Sequence, residues 1–197
     1  MDKNETAPGP TGQPAADMVG RRARLSDGRE VVIRPLEADD ARLYAEFDRG
    51  LTSEDRRLRF FASLREIGRD RIKALTQFDR REGAAYAALD ARDGSLLGVA
   101  RVHRERDGEA EFAVLVRSDV KGRGLGRRLM GAAVEGARRL GFRRIAGLIL
   151  RDNARMIGFC RKLGFKVAGL ADDPGLVRAG MSLDAAPTSG GGLPGAA

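Results

Sequence analysis

The run Lys121-Gly122-Arg123-Gly124-Leu125-Gly126-Arg127-Arg128 limits the possible folds more than any other feature. It sets three glycines and four cations between a stretch of period two and a stretch of helical period. Upstream, Phe112, Val114 and Val116 alternate with Glu111, Ala113 and Leu115, the pattern of a strand whose other face presents a carboxylate. Downstream, Leu125, Leu129, Ala133, Ala137 and Leu140 recur at helical spacing until Gly141 ends the run. A glycine-rich turn from strand to helix is an anion cradle. Glycine reaches positive φ, which turns successive N–H groups toward one point, and it leaves no side chain to block close approach. The helix start adds unpaired donors and a positive dipole end, worth about 0.3–1 kcal/mol toward an anion.

Two familiar phosphate loops are excluded by spacing. No lysine followed by Ser or Thr completes a G-x-x-x-x-G-K-[ST] loop. The dinucleotide pattern G-x-G-x-x-G fails because Arg127, Arg128 and Leu129 follow Gly126.

Around this centre the period alternates. The sequence predicts a strand at Glu30–Arg34, helices at Ala38–Gly50, Ser53–Leu64 and Arg69–Phe78, and a hairpin of Ala84–Asp90 with Leu96–Arg104. A turn at Asp107-Gly108 leads to the strand Glu109–Arg117, and the long helix runs from Gly124 to Leu140. Arg144–Leu150 is nearly all apolar and reads as a central strand. Asp152 or Asn153 caps a helix with Met156, Ile157, Cys160 and Leu163 inward, and strands close the pattern at Phe165–Leu170 and Leu176–Leu183. This order predicts the α+β type of α/β fold, a mixed six- to seven-stranded sheet with helices on both faces. The length of 197 residues fits one domain, and we expect it at 24–184. Residues 1–23 and 185–197 hold five of the seven prolines and show no apolar period, so they read as flexible tails.

Composition narrows the function. Thirty-six basic against 28 acidic residues give a net charge of +8, which attracts anions without choosing among them. Single-strand nucleic-acid binders stack bases on aromatics, and the basic loop is flanked by none, so no specific nucleic-acid partner is expected. No segment approaches the roughly 20 apolar residues of a membrane span, and no apolar stretch follows the N-terminus. With one cysteine the reading expects a cytoplasmic protein without disulfides. No metal-ligand spacing stands out, and oligomeric state is left open.

The stretch Glu111–Arg117 followed by Lys121–Met130 resembles the acetyl-CoA signature of the GNAT N-acetyltransferases, [RQ]-x-x-G-x-[GA], with Lys121 in place of Arg or Gln. Asn153-Ala154-Arg155-Met156 and Lys162-Leu163-Gly164-Phe165 resemble the second conserved stretch of that superfamily. With Arg34-Pro35-Leu36 and Arg57-Leu58-Arg59-Phe60-Phe61, the likeness is closest to bacterial Pat-type protein lysine acetyltransferases, which acetylate acyl-CoA synthetases. The resemblance implies acetyl-CoA as cosubstrate and, as partner, a protein with an exposed lysine, such as an acyl-CoA synthetase. A small amine, a polyamine or antibiotic, is the alternative acceptor; an acyl-CoA or nucleic-acid binding module without turnover is a further alternative.

The resemblance also assigns residues. The main chain at Leu115, Val116 and Arg117 would pair with the pantetheine amides, and Lys121, Gly122, Arg123, Gly124, Leu125, Gly126 and Arg127 would hold the pyrophosphate. Asn153 would touch the cofactor, or simply cap its helix. An acceptor lysine of pKa about 10.4 costs roughly 4–5 kcal/mol to deprotonate at pH 7. Glu111 is the candidate general base, with Glu109 the runner-up on the same face. The amide of Leu115 is the candidate oxyanion donor. Many GNAT enzymes carry a tyrosine acid four residues before the Gly-Phe pair; here Cys160 stands there, either donating its proton or lying inert in the core. His103 reads as structural or exposed.

Overall fold

The computed structural model describes residues 20–105 and 108–184. Both expected tails, up to residue 19 and from residue 185, lie outside these, as does Asp107 of the expected turn.

The strands are β1 (Arg21–Arg24), β2 (Glu30–Pro35), β3 (Gly83–Asp90), β4 (Leu96–Arg104), β5 (Ala110–Val116), β6 (Arg144–Leu150), β7 (Lys166–Gly169) and β8 (Leu176–Ser182). The helices are α1 (Tyr44–Arg49), α2 (Ser53–Phe60), α3 (Arg69–Thr76), α4 (Leu125–Arg139) and α5 (Ala154–Lys162). The eight strands form one mixed sheet in the order β1-β2-β3-β4-β5-β6-β8-β7, antiparallel except where β5 meets β6. Eight strands, where six or seven were expected, reflect β1, whose first three residues fall in the stretch read as tail. Arg-Arg-Ala-Arg offers no alternation to read, and only main-chain pairing with β2 makes it a strand. Three arginines on an edge strand also discourage pairing with another chain.

Helices cover both faces. On one, α4 and α5 close an aliphatic core around Leu97, Val102, Leu129, Met130, Ile145 and Cys160. On the other, α1 and α3 pack Tyr44, Phe47, Leu36 and Ile67 against Ala85, Ala87, Leu96 and Leu115. The expected helix 38–50 begins as a 3₁₀ segment, Ala38–Leu43, before α1. There Asp40 takes the Arg34 guanidinium fork at 2.7 and 2.8 Å and the Glu37 amide at 2.8 Å. The Asp40 carboxyl is buried, which alone would raise its pKa, yet this fork and amide hold it below the ordinary value. The expected helix 53–64 stops at Phe60 because Phe61 takes the left-handed conformation, φ 55° and ψ 26°. It is the sole non-glycine residue with positive φ among the described residues.

Two blocks of sheet are each firmly paired. β4 and β5 match without interruption from Gly98↔Val116 to Arg104↔Ala110, and β6 and β8 match over seven pairs. Only two pairs join the blocks, Ala110↔Ile145 and Glu111↔Ala146. At the point of separation the Phe112 ring lies over Gly147 and meets Phe165 edge to face, with ring centroids 5.1 Å apart. A Cβ at Gly147 would come within 2.8 Å of that ring. No helix among the described residues is long and apolar enough to cross a membrane.

Two glycine substitutions therefore have opposite expected signs. Gly147→Ala drives into the Phe112 ring and should destabilise by about 1–3 kcal/mol. Gly131→Ala, at an exposed position inside α4 with nothing within 4 Å of the new Cβ, should stabilise by about 0.5–1 kcal/mol. Urea unfolding of the two variants beside the parent measures both.

Candidate active site

Past Glu111, β5 keeps β4 as a neighbour and loses β6. The Arg117 amide donates to the Leu97 carbonyl at 2.9 Å, so with the uninterrupted register the main-chain groups of residues 111, 113, 115 and 117 face β4. Those of Val114 and Val116 therefore point the other way, into the gap. This revises the sequence reading: Val116 presents its main chain to the gap, whereas Leu115 and Arg117 do not. The Leu115 amide, which faces β4, is thus badly placed as an oxyanion donor, whereas those of Val114 and Val116 face the gap.

A cleft of about 960 Å³ opens at this gap, with Val114, Val116, Leu148 and Ile149 on its walls. The glycine loop forms one end. Gly122 and Gly124 have φ of 78° and 90°, and Gly124 is the N-cap of α4, so no side chain caps the helix. Among the described residues, the amides from Gly122 to Arg127 donate to no protein acceptor. Three of the four loop cations are engaged elsewhere. Lys121 binds Asp55, which also accepts from the Ser118 hydroxyl. Arg123 turns to Asp27, and Arg128 donates to the Arg24 carbonyl at 3.0 Å. Arg127 remains exposed on the cleft, and α5 brings Arg155 and Lys162 to the same cavity. Arg155 Nη2 lies 3.8 Å from where a Cβ at Gly122 would stand. The sequence reading missed this second pair of cations, although their separation of seven residues, two helical turns, puts them on one face. Open amides, positive-φ glycines and three uncommitted cations fit a diphosphate.

Asn153 caps α5, its Oδ1 accepting from the Met156 amide at 3.0 Å, and it also lines the cleft. Cys160 lies in the core away from the cleft. Burial pushes its thiol pKa up to about 12, so it is inert as a proton donor.

Glu111 sits where the strands separate, on the cleft, in the last pair that joins β5 to β6. Its Oε2 lies 3.2 Å from His103 Nε2, and this contact holds the carboxyl below its ordinary value of 4.5 despite partial burial. His103 is thus part of the site, which a lone histidine on another strand gave no reason to expect; the cross-strand pair His103↔Glu111 brings it there. Glu109 is taken up by Arg144, at 2.7 Å, and by Arg178, and it does not line the cleft. His103, Glu105 and Glu111 bring possible ligand atoms within 4.8 Å of one another, which could hold a cation, but the nearby Arg59 charge opposes one.

The bank beyond Glu111 belongs to α2, its capping residue Phe61 and α3, which bring Arg59, Phe60, Phe61 and Arg71 to the cleft. A capping box opens α2: the Asp55 amide donates to Thr52 Oγ1 at 3.1 Å and the Thr52 amide to Asp55 Oδ2 at 3.0 Å. Arg57 bridges to Asp152 at 2.8 Å, joining this bank to the turn before α5.

The sequence profile of the Acetyltransferase (GNAT) family matches residues 45–165. An acetyltransferase of Pseudomonas aeruginosa is 33% identical over 144 residues, 72% of this chain and 77% of that protein. The L-methionine sulfoximine/L-methionine sulfone acetyltransferase of Pseudomonas paraeruginosa is 38% identical over 99 residues, 47% of this chain and 58% of that enzyme. Among solved structures, the GNAT domain of S. lividans Pat superposes with a TM-score of 0.76 at 27% identity, covering 83% of this chain and 96% of that one. A profile that spans most of the folded region, and a relative of which more than two thirds is matched, make this chain a member of the GNAT family of acetyltransferases, enzymes that take their acyl group from acyl-coenzyme A.

Proposed function

We propose that this enzyme transfers the acetyl group of acetyl-CoA to the ε-amine of lysines on another protein, such as an acyl-CoA synthetase, with Glu111 as general base. One observation carries the chemistry: the carboxylate on the cleft is the residue at which β5 leaves β6, directly before the amides that face the gap. The likeness to Pat-type enzymes in sequence and in fold supports the acceptor. One buried thiol suits a reducing compartment, and we place the enzyme in the cytoplasm.

In this reading the amine reaches Glu111 as an ammonium and gives up a proton to it, directly or through a water. The nitrogen lone pair forms the new C–N bond at the thioester carbonyl carbon. Negative charge on that oxygen is met by the gap-facing amides of Val114 or Val116. The C–S bond then breaks and coenzyme A leaves as thiolate, which a thiol pKa of about 8.5 allows without a side-chain acid, and the thiolate takes the second proton from the new amide nitrogen. On the donor side, the amides of Gly122–Arg127 with Arg127, Arg155 and Lys162 hold the diphosphate.

A second reading, with a small amine as acceptor, is favoured by the likeness to an enzyme named for methionine sulfoximine and sulfone. Radiolabelled acetyl-CoA incubated with cell lysate separates the two: label in protein lysines supports the first, and label confined to small molecules overturns it.

Glu111→Gln should lower kcat/KM by about 10²–10⁴-fold while calorimetric affinity for acetyl-CoA stays within about threefold. Arg127→Ala and Arg155→Ala should each weaken that affinity by about 3–30-fold, more at low salt than at high.

The Glu111 carboxyl lies below 4.5, so it is charged and competent at neutral pH. Above that point log kcat/KM should stay level until the acceptor ammonium itself titrates near pH 10, and below it should fall by roughly one unit per pH unit as Glu111 takes up a proton. In His103→Ala the contact that lowers Glu111 is gone while burial still raises it, so this fall should begin at higher pH. A pH–rate profile from about 4 to 9 measures the displacement.

A further inference from the structure

The acceptor end of the cleft holds more positive charge than the chain itself neutralises. Arg59 and Arg71, from α2 and α3, both place their guanidinium carbons 4.9 Å from the centroid of the Phe60 ring. Both line the cleft beside Glu111 and His103. Among the described residues, neither has a carboxylate within 4 Å nor donates a hydrogen bond to any protein acceptor. Beneath them Arg101, opposite Ala113 on the same face of the sheet as Glu111, keeps its buried Nε without a partner. Arg59 and Arg101 thus act on Glu111, beside which Glu105 also lies, Arg71 lines the same cleft, and the other acid on its wall, Asp55, is bound to Lys121 and Ser118.

Taking an arginine out of water without a partner costs free energy, and proteins keep such groups where an anion will meet them. The Arg59 pKa is brought down to about 10, first by burial and then by Arg101, so it still carries its charge at neutral pH. The Phe60 ring restrains both planar forks, each 4.9 Å from its centroid, and such a fork takes a carboxylate by paired N–H donors. A polycation such as a polyamine would meet repulsion there.

We propose that the acceptor carries a carboxylate close to its reactive amine, and that Arg59 and Arg71, stacked on Phe60, bind that carboxylate while Glu111 receives the amine. This rests on the acetyltransferase reading above and specifies its acceptor. The same chemistry is offered by the α-carboxylate of a free amino acid and by an acidic side chain beside a lysine on a protein.

The test uses the full chain with acetyl-CoA and matched acceptors. One arm compares L-methionine sulfone with its carboxamide and with spermidine. The other compares lysine peptides bearing Glu, Gln or Lys on either side of the acceptor. In whichever arm turns over, the acid should exceed its neutral partner in kcat/KM by about 10–100-fold. That ratio should collapse in Arg59→Gln and in Arg71→Gln and be partly kept in Arg59→Lys; the arm with the larger ratio identifies the source. Equal turnover of acid and neutral partner, or a preference for spermidine, overturns the proposal. Calorimetric binding of N-acetyl-L-methionine sulfone and an N-acetyl-lysine peptide flanked by Glu, each against its neutral amide, reads the subsite without catalysis. Equal affinities for acid and amide in both pairs overturn it as well. A preference in binding with no transfer to any amine supports the carboxylate subsite and defeats the acetyltransferase reading instead. Arg71, exposed on α3, keeps the test decisive if Arg59→Gln does not fold.

Discussion

A pairing that stops after two residues governs this molecule. β5 is held by β4 and β6 by β8, and among the described residues the two blocks of sheet pair only through Ala110↔Ile145 and Glu111↔Ala146. Beyond that point the strand has main-chain donors and acceptors with no ladder to join, and burying such groups unpaired costs about 1–3 kcal/mol each. The gap must therefore hold water or another chain of amides, which makes it a binding cleft before any side chain is considered. The Phe112 ring over Gly147 fills the point of divergence. Because Glu111 belongs to the last shared pair, its backbone is fixed by both blocks, a rigid mounting for a group that must meet a proton within hydrogen-bond range.

Much of the remaining organisation radiates from a single turn and a half of α2. Successive residues on a helix point about 100° apart, and here each direction has a different errand. Asp55 reaches back to the loop before α4 through Lys121 and Ser118. Arg56, buried, donates to Asp48 at 2.7 Å, and Asp48 also accepts from the Ile67 amide at 3.2 Å, which fixes the segment leading to α3. Arg57 crosses the mouth to Asp152, and Arg59 enters the cleft. The left-handed Phe61 then ends the helix at the rim, half exposed. Sterically costly conformations of bulky residues tend to gather at functional sites.

Sequence reasoning located what depends on local pattern. Leu96–Arg104 and Arg144–Leu150 have the expected ends, α4 follows its apolar period, and the glycine loop lies where strand meets helix. Less legible was whatever depends on distant partners. Nothing in Lys121-Gly122-Arg123 tells that the two cations bind Asp55 and Asp27, 66 and 96 residues away. Alternation along β5 gave the side-chain faces, but the direction of the amides follows from the register with β4. Glu109 and Glu111 look equivalent until Arg144 and Arg178 claim one of them. Strand β1 has no apolar code to read, because an edge strand can be held by main-chain bonds alone.

The bridge from Arg57 to Asp152 lies in solvent, where an ion pair contributes little and is screened by salt. It is also the visible tie between the helical bank and the far shore of the cleft. A clasp so weak restrains the width of the opening only loosely, so a bulky guest can part it at almost no thermodynamic cost while a slender one leaves it fastened. Access to the reacting centre is thereby decoupled from the stiffness of the sheet beneath, and the same scaffold can admit visitors of very different girth.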